Sequence, residues 1–201
     1  MRAGLALLCL LGVLAAIPAA DGAGPGPTEQ LRGAIDQILQ VLEDPALKGS
    51  VRAADRHRAV RQITDEIFDF EETARRAMAQ HWRSLTPAQR SEFVETFSDL
   101  IERAYMSKIE LYSGEKIQYP GERVEGDVAT VATRILTKKG AEVPIDYRML
   151  KRGERWRVYD VSIEGVSLVA SYRTQFNNVI RTSSYDELLR KMRSRVEEMR
   201  Q

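Results

Sequence analysis

The sequence contains few of the side chains that most often carry chemistry. Among 201 residues there are one cysteine, Cys9, and two histidines, His57 and His81. A histidine-based metal site, a catalytic triad or a Cys-His pair would have to use one of these two histidines. Both stand beside arginines in charged helical surroundings, which favours solvated surface histidines. We therefore predict a protein without a catalytic residue, a metal site or a cofactor.

Neither sign of charge is in excess. Thirty Lys and Arg residues against 29 Asp and Glu residues give a net charge of +1, so electrostatics offers no reason to expect nucleic acid as a partner. The hydrophobic share of 43% and the charged share of 29% are those of an ordinary globular domain. The mean hydropathy of −0.35 excludes a polytopic membrane protein. A chain of this length can bury the core of one domain.

Long apolar runs are also scarce, apart from one at the start of the chain. Arg2 precedes an apolar run over residues 3–17, and small residues follow it, which is the layout of a secretory signal peptide. The alternative, an anchor helix that stays attached, would need roughly 20 apolar residues to cross a bilayer. We predict a signal peptide over residues 1–22 and a single exported domain over residues 23–201. The mature chain then has no cysteine and must be stable without disulfides.

Two short strings resemble catalytic motifs but lack essential parts. Residues 165–169 begin like a nucleophile elbow without its last glycine, and we interpret Ser167 as a helix cap. Residues 113–116 fit the pattern Ser-x-x-Lys, yet they follow a predicted helix instead of starting one, which indicates a turn. The sequence has no glycine-rich phosphate loop, and its many carboxylates leave an Asp or Glu pair open without singling one out.

The first half of the chain has the apolar period of helices. Thr28 is the predicted N-cap of the first helix, and Asp69 with Glu72 predicts a capping box at a later one, whose apolar side extends to Trp82. The residues 86–89, Thr-Pro-Ala-Gln, give the clearest helix start. Behind it follows a broad apolar stripe that includes Phe97, Ile101 and Tyr105.

The second half changes period to that of strands and then returns to helix. Ile145, Tyr147 and Met149 alternate with polar residues, as in a strand with one wet face. Residues 128–137 predict its partner strand, and residues 117–119 predict a weaker third strand. Val169 and Tyr172 share a face of a C-terminal helix. The pattern predicts an α+β fold with helices packed on one face of an antiparallel sheet.

Several short strings occur in order along nearly the whole mature chain: residues 68–70, 81–82, 86–90, 112–116, 146–148 and 158–169, the last extended by 172–173 and 175–176. Together they resemble the MlaC family, the periplasmic component of the Mla lipid-transport system, also described as toluene-tolerance auxiliary proteins. The resemblance implies helices over a curved sheet, as in an NTF2-like cone, with an internal apolar cavity for lipid tails. It implies an inner-membrane ABC transporter with an MCE-domain subunit and an outer-membrane lipoprotein complex as partners in maintaining outer-membrane lipid asymmetry.

The widest apolar faces of the sequence give a hypothesis for the pocket walls. We expect the helical stripe to face the strand across a cavity, with a C-terminal helix at the edge. The alternatives are an enzyme that uses a polar residue inside the same cavity, and a chaperone or adaptor whose apolar faces form a solid core. The predicted lipid-binding residues are Phe97, Ile101, Tyr105, Ile145, Tyr147, Met149, Val169 and Tyr172.

Overall fold

The structure, a computed structural model, describes residues 24–199. The predicted signal peptide and Cys9 lie outside the described residues. The described chain runs from helices through strands back to helices, with short 3-10 turns between some of them. Its elements are α1 (Pro27–Glu43), α2 (Ala53–Ile67), α3 (Phe70–Met78), α4 (Pro87–Ile109), β1 (Lys116–Glu125), β2 (Val128–Leu136), β3 (Glu142–Arg152), β4 (Arg155–Ile163), β5 (Val166–Ser167), α5 (Leu168–Thr182) and α6 (Tyr185–Glu198).

The five strands form an antiparallel meander in the order β1-β2-β3-β4-β5. Tyr147 lies opposite Val131, and Met149 lies opposite Ala129, so these side chains share one face of the sheet. Asp146, on the other face, is exposed, as the alternation predicts. Register shifts in the β1–β2 and β3–β4 pairings, with the extra residues on β1 and β4, mark irregularities of the β-bulge kind, which bend strands. The predicted α+β fold is confirmed.

Local side-chain signals place the helix starts. Thr86 accepts a hydrogen bond from the backbone N–H of Gln89, and the Gln89 side chain accepts one in return, so this capping box is confirmed. Asp69 accepts from the backbone N–H of Glu72 at 2.9 Å. The Glu72 carboxylate instead binds arginines, so the second predicted box is only half formed.

The predicted start of the first helix is wrong by two residues. The N-cap of α1 is Gly26, which makes no side-chain capping bond, and Pro27 takes the first helical position. The backbone N–H of Thr28 donates to the carboxylate of Glu122 on β1 at 2.7 Å. An acceptor distant in sequence therefore satisfies the helix end that Thr28 was expected to cap.

Two other elements differ from their predicted extents. Strand β1 covers ten residues, because it continues through Pro120 and Gly121 at an irregularity in its pairing with β2. Helix α3 ends at Met78, and Trp82, which the sequence placed on this helix, lies in a following 3-10 turn over residues 79–84. Trp82 is nevertheless buried, so the turn keeps the predicted apolar contact.

Candidate functional site

Helices α3 to α6 bury a group of apolar side chains that we call the helical cluster. Its centre is aromatic: the rings of Phe97 and Phe176 lie 5.1 Å apart, edge to face, and Phe97 and Tyr172 lie 4.9 Å apart in the same arrangement. Such contacts fix ring orientation as well as burial. The buried members are Ala74, Ala77, Met78, Trp82, Leu85, Phe93, Phe97, Leu100, Phe176, Leu188, Met192 and Val196.

The inner face of the sheet and helices α1 and α2 bury a second group, the sheet cluster. Tyr147 packs against this cluster, and burial raises the pKa of its phenol to about 12, with the Tyr119 hydroxyl adding to the effect. The phenol of Tyr147 therefore stays neutral at physiological pH. The buried members are Leu31, Ala34, Ile67, Ala129, Val131, Met149, Trp156 and Val158.

The structure divides the predicted wall residues between these clusters. Phe97 belongs to the helical cluster, and Ile101 and Tyr172 pack against it. Met149 belongs to the sheet cluster, which Tyr147 borders. The structure thus places Phe97 against Tyr172 and Phe176, and it does not pack the α4 stripe and the β3 face into one cluster.

The remaining predicted wall residues, Tyr105, Ile145 and Val169, belong to neither cluster. Ile145 and Val169 are nevertheless buried. Tyr105 is half-buried, which raises the pKa of its phenol, and the Lys108 ammonium lies 5.3 Å from the centre of its ring. Tyr105 also lies close enough to Tyr172 to raise the pKa of that phenol further, after the larger effect of burial.

Six buried apolar residues of the described chain belong to neither cluster: Val60, Met106, Ile145, Tyr159, Val169 and Leu189. We call four of them, Val60, Met106, Ile145 and Val169, the boundary residues. Val60 and Ile145 lie on α2 and β3, which are elements of the sheet side. Met106 and Val169 lie on α4 and α5, which carry the helical cluster. Sequence reasoning missed Val60 and Met106, although Met106 directly follows the predicted stripe.

Ion pairs between α2 and α4, here called the α2–α4 bridge, connect the two sides. Arg61 on α2 binds both Asp99 and Glu102 on α4. Burial raises the pKa of Glu102, although Arg61 opposes this shift. Arg61, Asp99 and Glu102 all remain partly exposed, so water and salt reach the bridge.

The bridge continues along the same helices at Glu110. This carboxylate binds Arg56, and it accepts a hydrogen bond from Nε2 of His57 at 2.9 Å when that nitrogen is protonated. Burial would raise the pKa of Glu110, but the hydrogen bonds from Arg56 and His57 outweigh it, so this pKa lies below the ordinary value. Nε2 of His81, a partly buried residue, lies 3.0 Å from Oδ1 of Asn177. Each of the two histidines therefore has a hydrogen-bonding partner within the protein.

A second connection, the α3–β4 joint, uses buried hydrogen bonds. The Thr73 hydroxyl donates to the carbonyl of Tyr159 at 3.0 Å. The backbone N–H of Asp69 donates to the carbonyl of Val158 at 2.8 Å. Arg152 on β3 adds an ion pair with Asp69 at 2.8 Å. This joint fixes α3 on the sheet.

Ser167, the serine of the elbow-like string, caps α5. Its hydroxyl accepts from the backbone N–H of Ala170 at 3.0 Å and donates to the buried carboxylate of Asp160 at 2.7 Å. Asp160 also accepts from the backbone N–H of Val169 at 3.0 Å. The predicted cap is confirmed, and the same contacts hold Val169 in place.

The described part of the chain also contains two open clefts. One lies between α4, α5 and α6 and has a volume of about 640 Å³. The other, of about 450 Å³, lies between α1, α2 and the start of β4. Ile145, Tyr147 and Met149 line neither of these clefts.

Within residues 24–199, no group of three His, Cys, Asp or Glu side chains is placed to hold a metal ion. No helix in that range has the length and apolar character that crossing a membrane requires.

The helix-covered antiparallel meander with an apolar inner face defines an α+β domain with two buried apolar regions. The sequence profile of the MlaC protein family matches residues 32–194, and the chain belongs to this family. The family resemblance found in the sequence is thus confirmed.

Two curated relatives span different shares of the chain. The toluene tolerance protein ttg2D of Pseudomonas putida is 24% identical over 179 residues, which cover 88% of this chain and 83% of that protein. The intermembrane phospholipid transport system binding protein MlaC of Haemophilus influenzae is 26% identical over 129 residues, which cover 62% of this chain and 60% of that protein.

A solved structure supports the same relationship. The phospholipid-binding protein of Ralstonia solanacearum, in complex with a phospholipid, matches with a TM-score of 0.77 and 26% identity. The match covers 86% of this chain and 97% of that one.

Proposed function

We propose that this protein is a non-enzymatic carrier that holds a phospholipid by its acyl chains and moves it through the periplasm. The observation that carries the proposal is the phospholipid held by the Ralstonia solanacearum protein, whose fold this chain matches over 97% of that protein's length. The carrier exchanges lipid with an inner-membrane ABC transporter with an MCE-domain subunit and with an outer-membrane lipoprotein complex. It thereby helps to maintain outer-membrane lipid asymmetry.

The physical chemistry of lipid transfer explains why such a carrier needs no reactive groups. A diacyl phospholipid has roughly 30 methylenes, and each costs about 0.8 kcal/mol to expose to water. Transfer through the aqueous phase would therefore cost on the order of 20 kcal/mol. A dry apolar slot removes this cost, while the head group stays in water at its mouth.

We place the acyl chains at the boundary between the two clusters. Opening a slot inside the helical cluster would break the ring contacts between Phe97, Tyr172 and Phe176. Separating the clusters at the boundary leaves these contacts intact. The residues that would then line the slot are the buried apolar side chains Val60, Met106, Ile145 and Val169.

Two of the connections between the helical side and the sheet side suit this opening. The α3–β4 joint is held by buried hydrogen bonds, which are costly to break. The α2–α4 bridge is partly exposed, and pairs of this kind contribute only about 0–1 kcal/mol each. We therefore propose that lipid enters where α2 and α4 move apart, past Tyr105 and Ile101, while Phe97 and Met149 support the walls from behind.

Export depends on the N-terminal residues. We propose that residues 1–22 are removed as a signal peptide and that the mature chain starts between Ala20 and Gly24. N-terminal sequencing of protein recovered from the periplasm tests this. A chain recovered there with Met1 still in place would contradict it.

Lipid content after gentle, detergent-free purification tests the function. Extraction with organic solvent and mass spectrometry should recover phospholipid in a roughly equimolar amount, with little preference for the head group because the apolar contribution dominates. An adaptor with a solid core would yield none, and an enzyme would convert added phospholipid into products. Folded, lipid-free protein would contradict the carrier.

A matched pair of variants links the lipid to the boundary. Val169→Glu places a carboxylate among the boundary residues and should abolish lipid retention, because an unpaired buried charge is strongly unfavourable. Val166→Glu, three residues earlier at an exposed position, should retain lipid. Ile145→Phe serves as a second test should Val169→Glu fail to fold.

A further inference from the structure

The cleft between α4, α5 and α6 has features that the proposed carrier function does not use. Its volume of about 640 Å³ lies in the range of roughly 300–1,000 Å³ that is typical of small-ligand sites. Its floor is apolar and includes Leu100, Phe176 and Met192. Methionine side chains adapt readily to ligands of different shape. None of the four boundary residues lines it, and of the predicted lipid-binding residues only Tyr172 does, so this cleft lies apart from the proposed slot.

The rim of the cleft is positively charged. Arg103, Lys191 and Arg195 line it, and no carboxylate does. Lys191 has a carboxylate partner, Glu187, at 3.8 Å, and Arg195 has one at 2.9 Å in Glu198. Both partners lie on α6 outside the lining, so the surface that faces into the cleft stays cationic.

One nitrogen of Arg103 lacks a hydrogen-bond acceptor within residues 24–199. Its Nε is buried and has no hydrogen-bond partner among the described residues. Buried donors in proteins almost always have a partner, so each exception requires an explanation. The planar guanidinium group matches the geometry of phosphate and carboxylate oxygens. The Arg103 residue as a whole is partly exposed and lines the cleft, so a modest shift of its side chain would bring Nε to an anionic group bound there.

We propose that this cleft is a second binding site, specific for an anionic amphiphile with a single chain. The chain lies on the apolar floor, and the phosphate or carboxylate binds at Arg103, with Lys191 and Arg195 adding attraction from the rim. The volume is that of a drug-sized molecule, which favours one chain over two. The site does not depend on the carrier function, because it shares none of the boundary residues.

The methionines allow the site to be tested directly. Met192 and Met199 line the cleft, whereas Met106 is a boundary residue and Met149 belongs to the sheet cluster. The mature protein with ¹³C-methyl methionine is titrated with lysophosphatidylglycerol below its micelle-forming concentration. Lysophosphatidylcholine, which has the same chain and no net charge, is the comparison ligand. We expect the NMR signals of Met192 and Met199 to shift with the anionic lipid at lower concentration than with the neutral one.

Variants identify the contribution of the anion-binding group. Arg103→Gln should weaken lysophosphatidylglycerol binding by about tenfold, as expected for the loss of a charge-assisted hydrogen bond, and should affect the neutral lipid much less. Arg181→Gln removes a cation from an exposed position on α5 outside the cleft lining, and should leave the affinity unchanged.

Three results would overturn the proposal. Shifts confined to Met106 or Met149 would place the amphiphile at the boundary, which supports the carrier and removes the second site. Equal binding of the two lysolipids, unaffected by Arg103→Gln, would show that the cleft does not select charge. An acidic amphipathic peptide that shifts Met192 and Met199 where the lysolipid does not would assign the cleft to a protein partner.

Discussion

The helical cluster and the boundary residues are both apolar and both buried, but they are packed differently. Phe97 contacts two other rings edge to face within the helical cluster. Ile145 and Val169 are buried without belonging to either cluster. Burial alone therefore does not distinguish a stabilising core from a binding surface. Phe97 is held by rings on two sides, which marks it as stabilising core, and we propose that the boundary residues serve lipid instead.

The α3–β4 joint and the α2–α4 bridge, which both connect the helical side to the sheet side, also differ in the kind of contact that holds them. The α3–β4 joint consists largely of buried hydrogen bonds, such as that from Thr73 to the carbonyl of Tyr159. The α2–α4 bridge consists of partly exposed ion pairs centred on Arg61. A molecule built in this way can open on one side while it stays fixed on the other, and mutations on the two sides should have different consequences.

The largest effect on stability is expected in the helical cluster. Phe97→Ala should lower the free energy of unfolding by about 3–5 kcal/mol, because it leaves a cavity in a fully packed region. Urea denaturation measures the change, and Val166→Ala at an exposed position serves as the control. A loss near zero for Phe97→Ala would mean that this region is not a filled core.

The next largest effect on stability is expected at Glu72 on α3, and it depends on pH. Burial would raise the pKa of Glu72, but the hydrogen bonds from Arg75 and Arg76 outweigh it and hold the pKa below its ordinary value of 4.5. Its contribution to stability is therefore fully present above about pH 4.5 and is lost as the pH falls through the lowered pKa.

Glu72→Gln should accordingly cost about 1–3 kcal/mol at neutral pH, because it replaces charged hydrogen bonds with neutral ones. The difference between the two proteins should shrink toward pH 3. Thermal midpoints measured from pH 7 to pH 3 give both quantities, and Glu71→Gln, at an exposed neighbouring position, is the control. If the thermal midpoints of Glu72→Gln and the parent protein fall in parallel between pH 7 and pH 3, the Glu72 carboxylate does not supply this pH-dependent stability.

At the boundary we expect a small change in stability and a large change in lipid content. Ile145→Phe adds volume where the two clusters meet, so it should leave the thermal midpoint of the delipidated protein nearly unchanged and reduce bound phospholipid. In a filled core the same kind of change costs about 1–3 kcal/mol. Destabilisation with full lipid content would show that Ile145 is ordinary core.

A small effect on stability is also expected at the α2–α4 bridge. Arg61→Gln should lower stability by about 1 kcal/mol or less, because its pairs are partly exposed. It should nevertheless speed the release of a fluorescent phospholipid to acceptor vesicles. About 1 M NaCl, where the Debye length is about 3 Å, should speed release from the parent protein more than from the variant. Identical release rates for Arg61→Gln and the parent protein would show that the bridge does not control lipid release.

Sequence reasoning succeeds where the information is local. The capping box at Thr86 and Gln89 and the cap at Ser167 involve residues three apart, and both are confirmed. The alternation along β3 likewise predicts its buried face. The start of α1 was missed because its acceptor, Glu122, is 94 residues away. The full length of β1 was missed because Pro120 and Gly121 interrupt the pattern at an irregularity in strand pairing.

The candidate site was harder to predict for the same reason, because its composition depends on contacts between residues distant in sequence. Periodicity indicates which face of α4 is apolar, but it does not indicate which element will cover that face. Phe97 and Ile145 were therefore expected to face each other, although the structure packs Phe97 with rings from α5. Val60 and Met106 were not among the predicted lipid-binding residues, because an apolar residue in a helical sequence does not show which other element will cover it; the structure shows that both are buried.

The most direct test of the boundary as the lipid site uses a phospholipid with a nitroxide spin label near the end of one acyl chain. Loaded into ¹³C-methyl methionine protein, the label broadens the NMR signals of nearby methyl groups. The account predicts the strongest broadening at Met106, a boundary residue, and little at Met78, which is buried in the helical cluster. Broadening that is stronger at Met78 than at Met106 would contradict it.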